Sequence, residues 1–231
     1  MTTISYFLTA QDHSAPAEED AFADVRAELE HIPHLRLAEL HRPAGIETYH
    51  RDGVAPRAAM RLVFDSIEHL EAQLMPGGHL HELASTPLWR HVAGDRMTQQ
   101  AMLTRRFLSL DETALRAVGE AYSYLVHYPG HAPDFNAWLG YYVSHHPQIM
   151  VDYPDVLQVQ VFTRLDWCDA MSCERVAHMQ RNQLTFPSLD ALMCALESPV
   201  RDRMRGDNRK FPEFHGGAIH YAMQTSFVVP R

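Results

Sequence analysis

The sequence predicts an α+β fold in which two βαββαβ units follow one another and close a single intrachain α+β barrel. Three observations carry that expectation. Runs of β-forming residues alternate with stretches of helical apolar spacing in the order strand, helix, strand, strand, helix, strand, and the order then starts again. Residues 62–74 line up with 184–196 at an offset of 122, placing Phe64 on Phe186 and Ser66 on Ser188, and Tyr6 falls on Tyr124 at an offset of 118. Each unit alone, a four-stranded antiparallel sheet with both helices on one face, leaves its other face bare, and a second copy in the same chain covers it. The expected boundaries are 1–108 for a degenerate first unit and 120–231 for the second, joined near 109–119.

In the first unit, residues 4–10 (ISYFLTA) are rich in β-formers and read as a strand. Residues 17–30 carry Phe22, Val25, Leu29 and Ile32 at helical spacing, and Pro33 closes that helix. Residues 35–41 and 58–64 are the next strands. Asp65 and Ser66 then cap a helix over 67–74, with Ile67, Leu70 and Leu74 on one face. A connection over 75–96, broken by Pro76-Gly77-Gly78 and Thr86-Pro87, leads to the fourth strand at 98–107.

In the second unit, residues 121–128 (AYSYLVHY) form a strand and 134–146 a helix. Phe135, Trp138, Leu139, Tyr142 and His146 fall on one helical face, with His145 three residues past Tyr142. Asp134 is the expected N-cap, and Pro147, which lacks an amide donor, the expected stop. Residues 157–165 and 181–186 read as strands, 189–196 as a helix, and 218–228 as the last strand. The basic cluster 201–210 (RDRMRGDNRK) reads as a solvated loop. This βαββαβ order is the ferredoxin-like arrangement, with helices outside and the space between the sheets as the natural pocket.

With 231 residues, 46% hydrophobic and 21% charged, the chain has ordinary globular composition. No run approaches the roughly 20 apolar residues of a spanning helix. The N-terminus has no secretory signal pattern, so a cytoplasmic protein without membrane contact is expected. A net charge of −9 argues against nucleic-acid binding. Cys168, Cys173 and Cys194 lack CxxC spacing and are read as reduced thiols. Sixteen histidines stand out, among them His79 and His81, but no run gathers three or four convergent ligands. Neither a metal site nor a cofactor is therefore expected. No Gly-rich phosphate loop is present either. Assembly into a homo-oligomer is the default for such a chain.

The pattern Asp134-Phe135…Trp138…His145-x-Pro147, followed by Tyr153-Pro154-Asp155-Val156, resembles the EthD-like proteins of the dimeric α+β barrel superfamily. The likeness spans 121–227 well. Over 4–107 it is weak, with only His31-Ile32-Pro33 echoing the His-x-Pro element, and Asp155 stands where the family pattern has Gly. The resemblance implies a small barrel acting on small organic molecules in catabolic or secondary-metabolite settings. Its relatives include cofactor-free isomerases, cyclases and decarboxylases, oxygenases, and haem-binding tandem barrels. It places His145 at the family's recurrent histidine, with His146 adjacent.

Two function classes follow. One is a cofactor-free enzyme using His145 as general acid or base in a largely apolar pocket. The other is a non-catalytic binding barrel, in which these histidines only complement the helix C-terminus; a haem-binding barrel is a third reading. The strand patterns nominate the ligand contacts. His127, Gln158 and Gln160, together with His220 and Gln224 on the last strand, are assigned to the pocket. Ile219, Tyr221 and Met223 are assigned to the helices. Polar residues inside a barrel need hydrogen-bond partners, of which a ligand is one kind.

Overall fold

The computed structural model describes residues 2–11, 19–46, 54–93 and 96–230. The first half runs β1 (Thr3–Ala10), α1 (Glu19–Leu29), β2 (Leu35–Pro43), β3 (Ala58–Phe64), α2 (Ile67–Leu74), α3 (His79–Leu83), α4 (Pro87–Ala93) and β4 (Met97–Leu108). After α5 (Glu112–Val118) the second half runs β5 (Glu120–Tyr128), α6 (Phe135–Met150), β6 (Gln158–Arg164), β7 (Glu174–Arg175), β8 (Gln180–Phe186), α7 (Leu189–Glu197), α8 (Val200–Asn208) and β9 (Ile219–Val228).

The strands hydrogen-bond in the order β1-β3-β2-β9-β5-β8-β6-β4, and β4 pairs back onto β1, closing an eight-stranded antiparallel barrel. The short β7 adds in parallel at the start of β4. Each half keeps one internal order, β4-β1-β3-β2 and β9-β5-β8-β6, and the halves are joined through β2–β9 and β4–β6. The repeat extends to register. Ile4 opposes Phe64 in the first half as Tyr122 opposes Phe186 in the second. Ser66 and Ser188 both cap their helices, accepting from the amides of His69 and Ala191.

Alternation along each strand separates two layers. Outward side chains meet the helices. Tyr6, Leu8, Met60 and Leu62 pack with Val25, Leu29, Leu70 and Trp89 in the first half, and Tyr124, Val126, Val159 and Leu184 with Trp138, Tyr142 and Leu192 in the second. The inward layer is unusually polar. Arg61 pairs both its Nε, at 2.9 Å, and its Nη2 with the Glu39 carboxylate, which also accepts from Gln183 at 2.7 Å. His41 Nδ1 meets the Thr225 hydroxyl at 2.9 Å, and Thr225 in turn bonds Ser123. Burial raises the Glu39 pKa, but the Arg61 guanidinium outweighs it and holds the carboxyl below its ordinary value. Burial also drives His41 down to about 4.

Four expectations are corrected. The connection 75–96 contains two short helices, whose Leu80, Leu83, Trp89 and Val92 complete the first-half core. The joint near 109–119 contains α5, which sets Leu115 against Leu37, Val63, Ala121 and Phe227 at one end of the barrel. Pro147 does not stop α6, which continues to Met150. Proline removes only its own amide; the Val151 amide still bonds the Pro147 carbonyl at 3.2 Å, and burial of Pro147 and Met150 holds the last turn. The basic cluster is no loop but the body of α8, anchored by buried Val200 and Asp207 on one helical face.

Candidate functional site

The outer face of β5, β8 and β9 and the helices over it border a half-open cavity of about 160 Å³. Its floor is Tyr124, Val126, Leu184 and Phe186 of the sheet. Its walls include His146 and Met150 from α6, Leu196 from α7, and Arg201, Met204 and Arg205 from α8. The corresponding outer face of the first half is covered by α3 and α4 and their apolar side chains.

α6 brings the chemistry to this cavity. Asp134 caps it, accepting from the Ala137 amide at 2.9 Å, and the helix then buries Trp138, Tyr142 and His146 on one face. His146 is 6% exposed, and its Nδ1 lies 2.8 Å from Asp207 Oδ2 on α8. The other Asp207 oxygen accepts the Tyr141 hydroxyl at 2.9 Å. A carboxylate can only accept, so Nδ1 carries the ring proton and Nε2 keeps its lone pair. Burial lowers the His146 pKa and Asp207 opposes that shift without cancelling it, leaving a neutral imidazole at pH 7. Such a ring can take a proton from a bound molecule or hold a hydroxyl by hydrogen bond.

Aromatic rings fill the rest of the space between sheet and helices. Trp138 stacks on Tyr142 at 5.1 Å and meets Phe211 and Phe214, while Tyr128 lies edge-on to both Trp138 and Tyr142. The Tyr142 hydroxyl accepts from Asn182 Nδ2 at 2.5 Å, and burial pushes Tyr128 up to about 12. The segment bearing Phe211 and Phe214 is held by a close backbone approach: the His215 amide bonds the His131 carbonyl at 2.8 Å. A Cβ on Gly130 would lie 1.7 Å from the His215 carbonyl oxygen, so only glycine fits there.

The residues nominated from sequence are scattered relative to this cavity. His145 is exposed, with Nδ1 2.8 Å from the Tyr141 carbonyl oxygen and its ring stacked on Tyr141 at 4.2 Å. His127, Gln158 and Gln160 point into the barrel; His127 sits 3.4 Å from Arg181, and Gln160 donates to Gln158 at 3.3 Å. On β9 the expected faces are exchanged. His127 opposes Ile219, Leu125 opposes Tyr221 and Ser123 opposes Met223, so the apolar set faces the barrel interior. A small barrel must be filled by its own side chains, and Met223 is fully buried there. His220 therefore looks outward, where it lines the cavity and stacks on Tyr124 at 5.5 Å. Gln224, on the same outer face, bonds Arg42 and Glu120 at the seam between the halves.

Asn182, Arg201 and Arg205, which line the cavity, and Asp207, which stands behind His146, were not nominated from the sequence. Val200, Met204 and Asp207 at i, i+4 and i+7 were the available signal for α8. Asn182, Leu184 and Phe186 alternate on one face of β8. Among the described residues no three His, Cys, Asp or Glu side chains converge as a metal site, and no helix is long and apolar enough to cross a membrane.

No family model matches the chain, and no curated protein matches it. Solved structures do. An anthrone oxidase-like protein superposes with a TM-score of 0.55 at 11% identity, covering 97% of this chain and 91% of that one. A candidate monooxygenase from Fusobacterium nucleatum gives 0.57 at 7% identity, covering 99% and 94%. A chlorite dismutase variant from Candidatus Nitrospira defluvii gives 0.51 at 12% identity, covering 96% and 91%. At these identities the likeness is one of fold alone.

Proposed function

We propose that this chain binds a small, partly apolar organic molecule in the outer-face cavity of its second half, with His146 as the proton-accepting contact. The observation that carries this reading is a buried neutral imidazole, oriented by Asp207, on the wall of an apolar cavity. Its volume matches an engineered cavity of about 150 Å³ that takes up benzene, so the ligand is a one-ring compound or its equivalent. In this reading the proton-handling role expected of His145 belongs to its neighbour. The His145-x-Pro147 motif supports an EthD-like affiliation, and the shared offsets and register support descent of 1–108 and 120–231 from one duplicated unit.

Haem is the second reading, because a histidine whose far nitrogen donates to a carboxylate is the usual form of a metal-ligating imidazole. The donor fits and the room does not. Ligands of drug size occupy roughly 300–1,000 Å³, and Trp138, Tyr142, Phe211 and Phe214 already fill the neighbouring space.

Thermal shift and calorimetry with 4-methylphenol test the main reading. Wild type is expected to bind it and melt higher, Leu184→Trp to fold and lose binding, and His146→Phe to bind it more weakly. Binding unchanged in Leu184→Trp would contradict this cavity as the site. Stoichiometric haem uptake by wild type, lost in His146→Ala, would favour the second reading.

A further inference from the structure

The barrel interior carries a charge imbalance. Among the buried described residues that line it, Glu39 is the one acid, and it is committed to Arg61 and Gln183. Arg181, the second residue of β8, is also buried there, 2% exposed and opposite His127 on one side and Phe162 on the other. Its contacts among the described residues are all uncharged. Nε donates to Gln100 Oε1 at 3.3 Å, Nη1 meets His127 Nε2 at 3.4 Å, and the guanidinium lies over the Phe7 ring at 4.7 Å. Burial lowers its pKa to about 9, which leaves it charged at pH 7, and what opposes that shift is the Tyr221 phenol, not a carboxylate. A charge taken out of water is ordinarily paired with an opposite one.

Two N–H groups are left over at this place. Arg181 Nη2 makes no hydrogen bond among the described residues and is not sealed from solvent. An arginine can only donate, so His127 Nε2 accepts from Nη1 and Nδ1 carries the ring proton. That Nδ1–H likewise has no partner among the described residues and keeps solvent contact. Burial, and after it the Arg181 charge, hold the ring neutral. The way in passes two half-buried rings, His178 at 5.3 Å from His127 and Tyr221 edge-on to it at 5.6 Å. This is the barrel end opposite α5, since His127 stands near the end of β5 and Ala121, in the α5 cluster, near its start.

We propose that this end of the barrel is a second binding site, which takes a compact carboxylate of formate or acetate size on Arg181, with His127 as a neighbouring donor. Neither residue lines the outer-face cavity, so the site is independent of the reading given above. Phe7 covers one face of the guanidinium and leaves its Nη edge open, where paired N–H donors match the two oxygens of a carboxylate. The interior of a small barrel is otherwise filled by its own side chains, which limits the guest to a few atoms. Such an anion balances Arg181 without disturbing the Glu39–Arg61 pair.

The test is calorimetry on the full chain in chloride-free buffer, with sodium formate, sodium acetate, sodium chloride and acetamide. At least one of the two carboxylates is expected to bind saturably, and at least about tenfold tighter than chloride or acetamide, as paired charge-assisted bonds require. It should also raise the melting temperature of the wild type. Arg181→Met should fold, because it removes an uncompensated charge and strands no ionic partner, and should lose both effects. Arg181→Lys, which keeps the charge but not the paired donors, should bind the carboxylate more weakly than the wild type and covers the case in which the methionine variant fails to fold. No saturable binding of either carboxylate by the wild type overturns the proposal. So does binding of chloride or acetamide as tight as that of both carboxylates, or carboxylate binding undiminished in folded Arg181→Met or Arg181→Lys.

Discussion

At the scale of single residues, Glu39 and Arg61 show what the barrel interior demands. Both are essentially without solvent contact, and their mutual bonds are what permits their burial. Arg61→Met should therefore destabilise by about 3–5 kcal/mol, because it strands a buried carboxylate, whereas Glu39→Met with Arg61→Met should recover most of that loss. Urea midpoints of the wild type and the two variants check this. The histidines of α6 mark the limit of residue-level reading. His145 and His146 are adjacent, and each lies a turn beyond Tyr142, so helical spacing alone does not rank them. What separates them is Asp207, sixty-one positions away in sequence from His146 and opposite it only once α8 is seated. Asp207→Asn should raise the fraction of His146 in the wrong tautomer and weaken binding of a hydroxylated ligand. Ring nitrogen chemical shifts measured by NMR would report it directly.

At the scale of elements, legibility followed the strength of local signals. β3 falls at the bounds expected of it, and α2 where the Ser66 cap and leucine spacing put it. Asp134 caps α6 as its position suggests, and Asp134→Ala should cost about 1 kcal/mol, read as a lowered melting temperature. The elements that were hidden are those whose order comes from tertiary contact. α8 is mostly charged, with only a few buried anchors. α5 is two turns long and takes its place from one leucine. Leu115→Ala should cost about 2–5 kcal/mol, since the methyl groups removed sit in the plug of the barrel end. A loss below 0.5 kcal/mol in chemical denaturation would mean that α5 does not seal it. The faces of β9 were misassigned for a related reason: alternation identifies two faces but not which is inside, and here the interior took the larger apolar side chains.

At the scale of the whole molecule, the closed barrel sequesters titratable groups, and its stability is bound to pH. Burial lowers the folded-state pKa of His41 to about 4, of His178 to about 3, and of His127 well below its ordinary value. A depressed histidine favours the neutral form in the folded state. Its contribution is thus complete above the unfolded pKa near 6.5 and is lost as pH falls from there toward the folded pKa. His41 alone accounts for about 3 kcal/mol between pH 6.5 and 4. Glu39, whose folded pKa is depressed, adds its loss only below its ordinary value of 4.5. The urea midpoint should therefore fall between pH 7 and 4, and more shallowly in His41→Gln. The barrel was legible from the repeated βαββαβ order because a bare sheet face has to be covered, whereas the proposed ligand space was not. Closure of the barrel left its interior to the Glu39–Arg61 network, and the cavity opened instead between the second sheet and its helices. Anomalous diffraction from crystals soaked in bromobenzene tests that placement most directly. The account predicts a bromine peak between Leu184 and Met204, within reach of His146; a peak inside the barrel beside Gln158 and Gln160, or none at saturation, would contradict it.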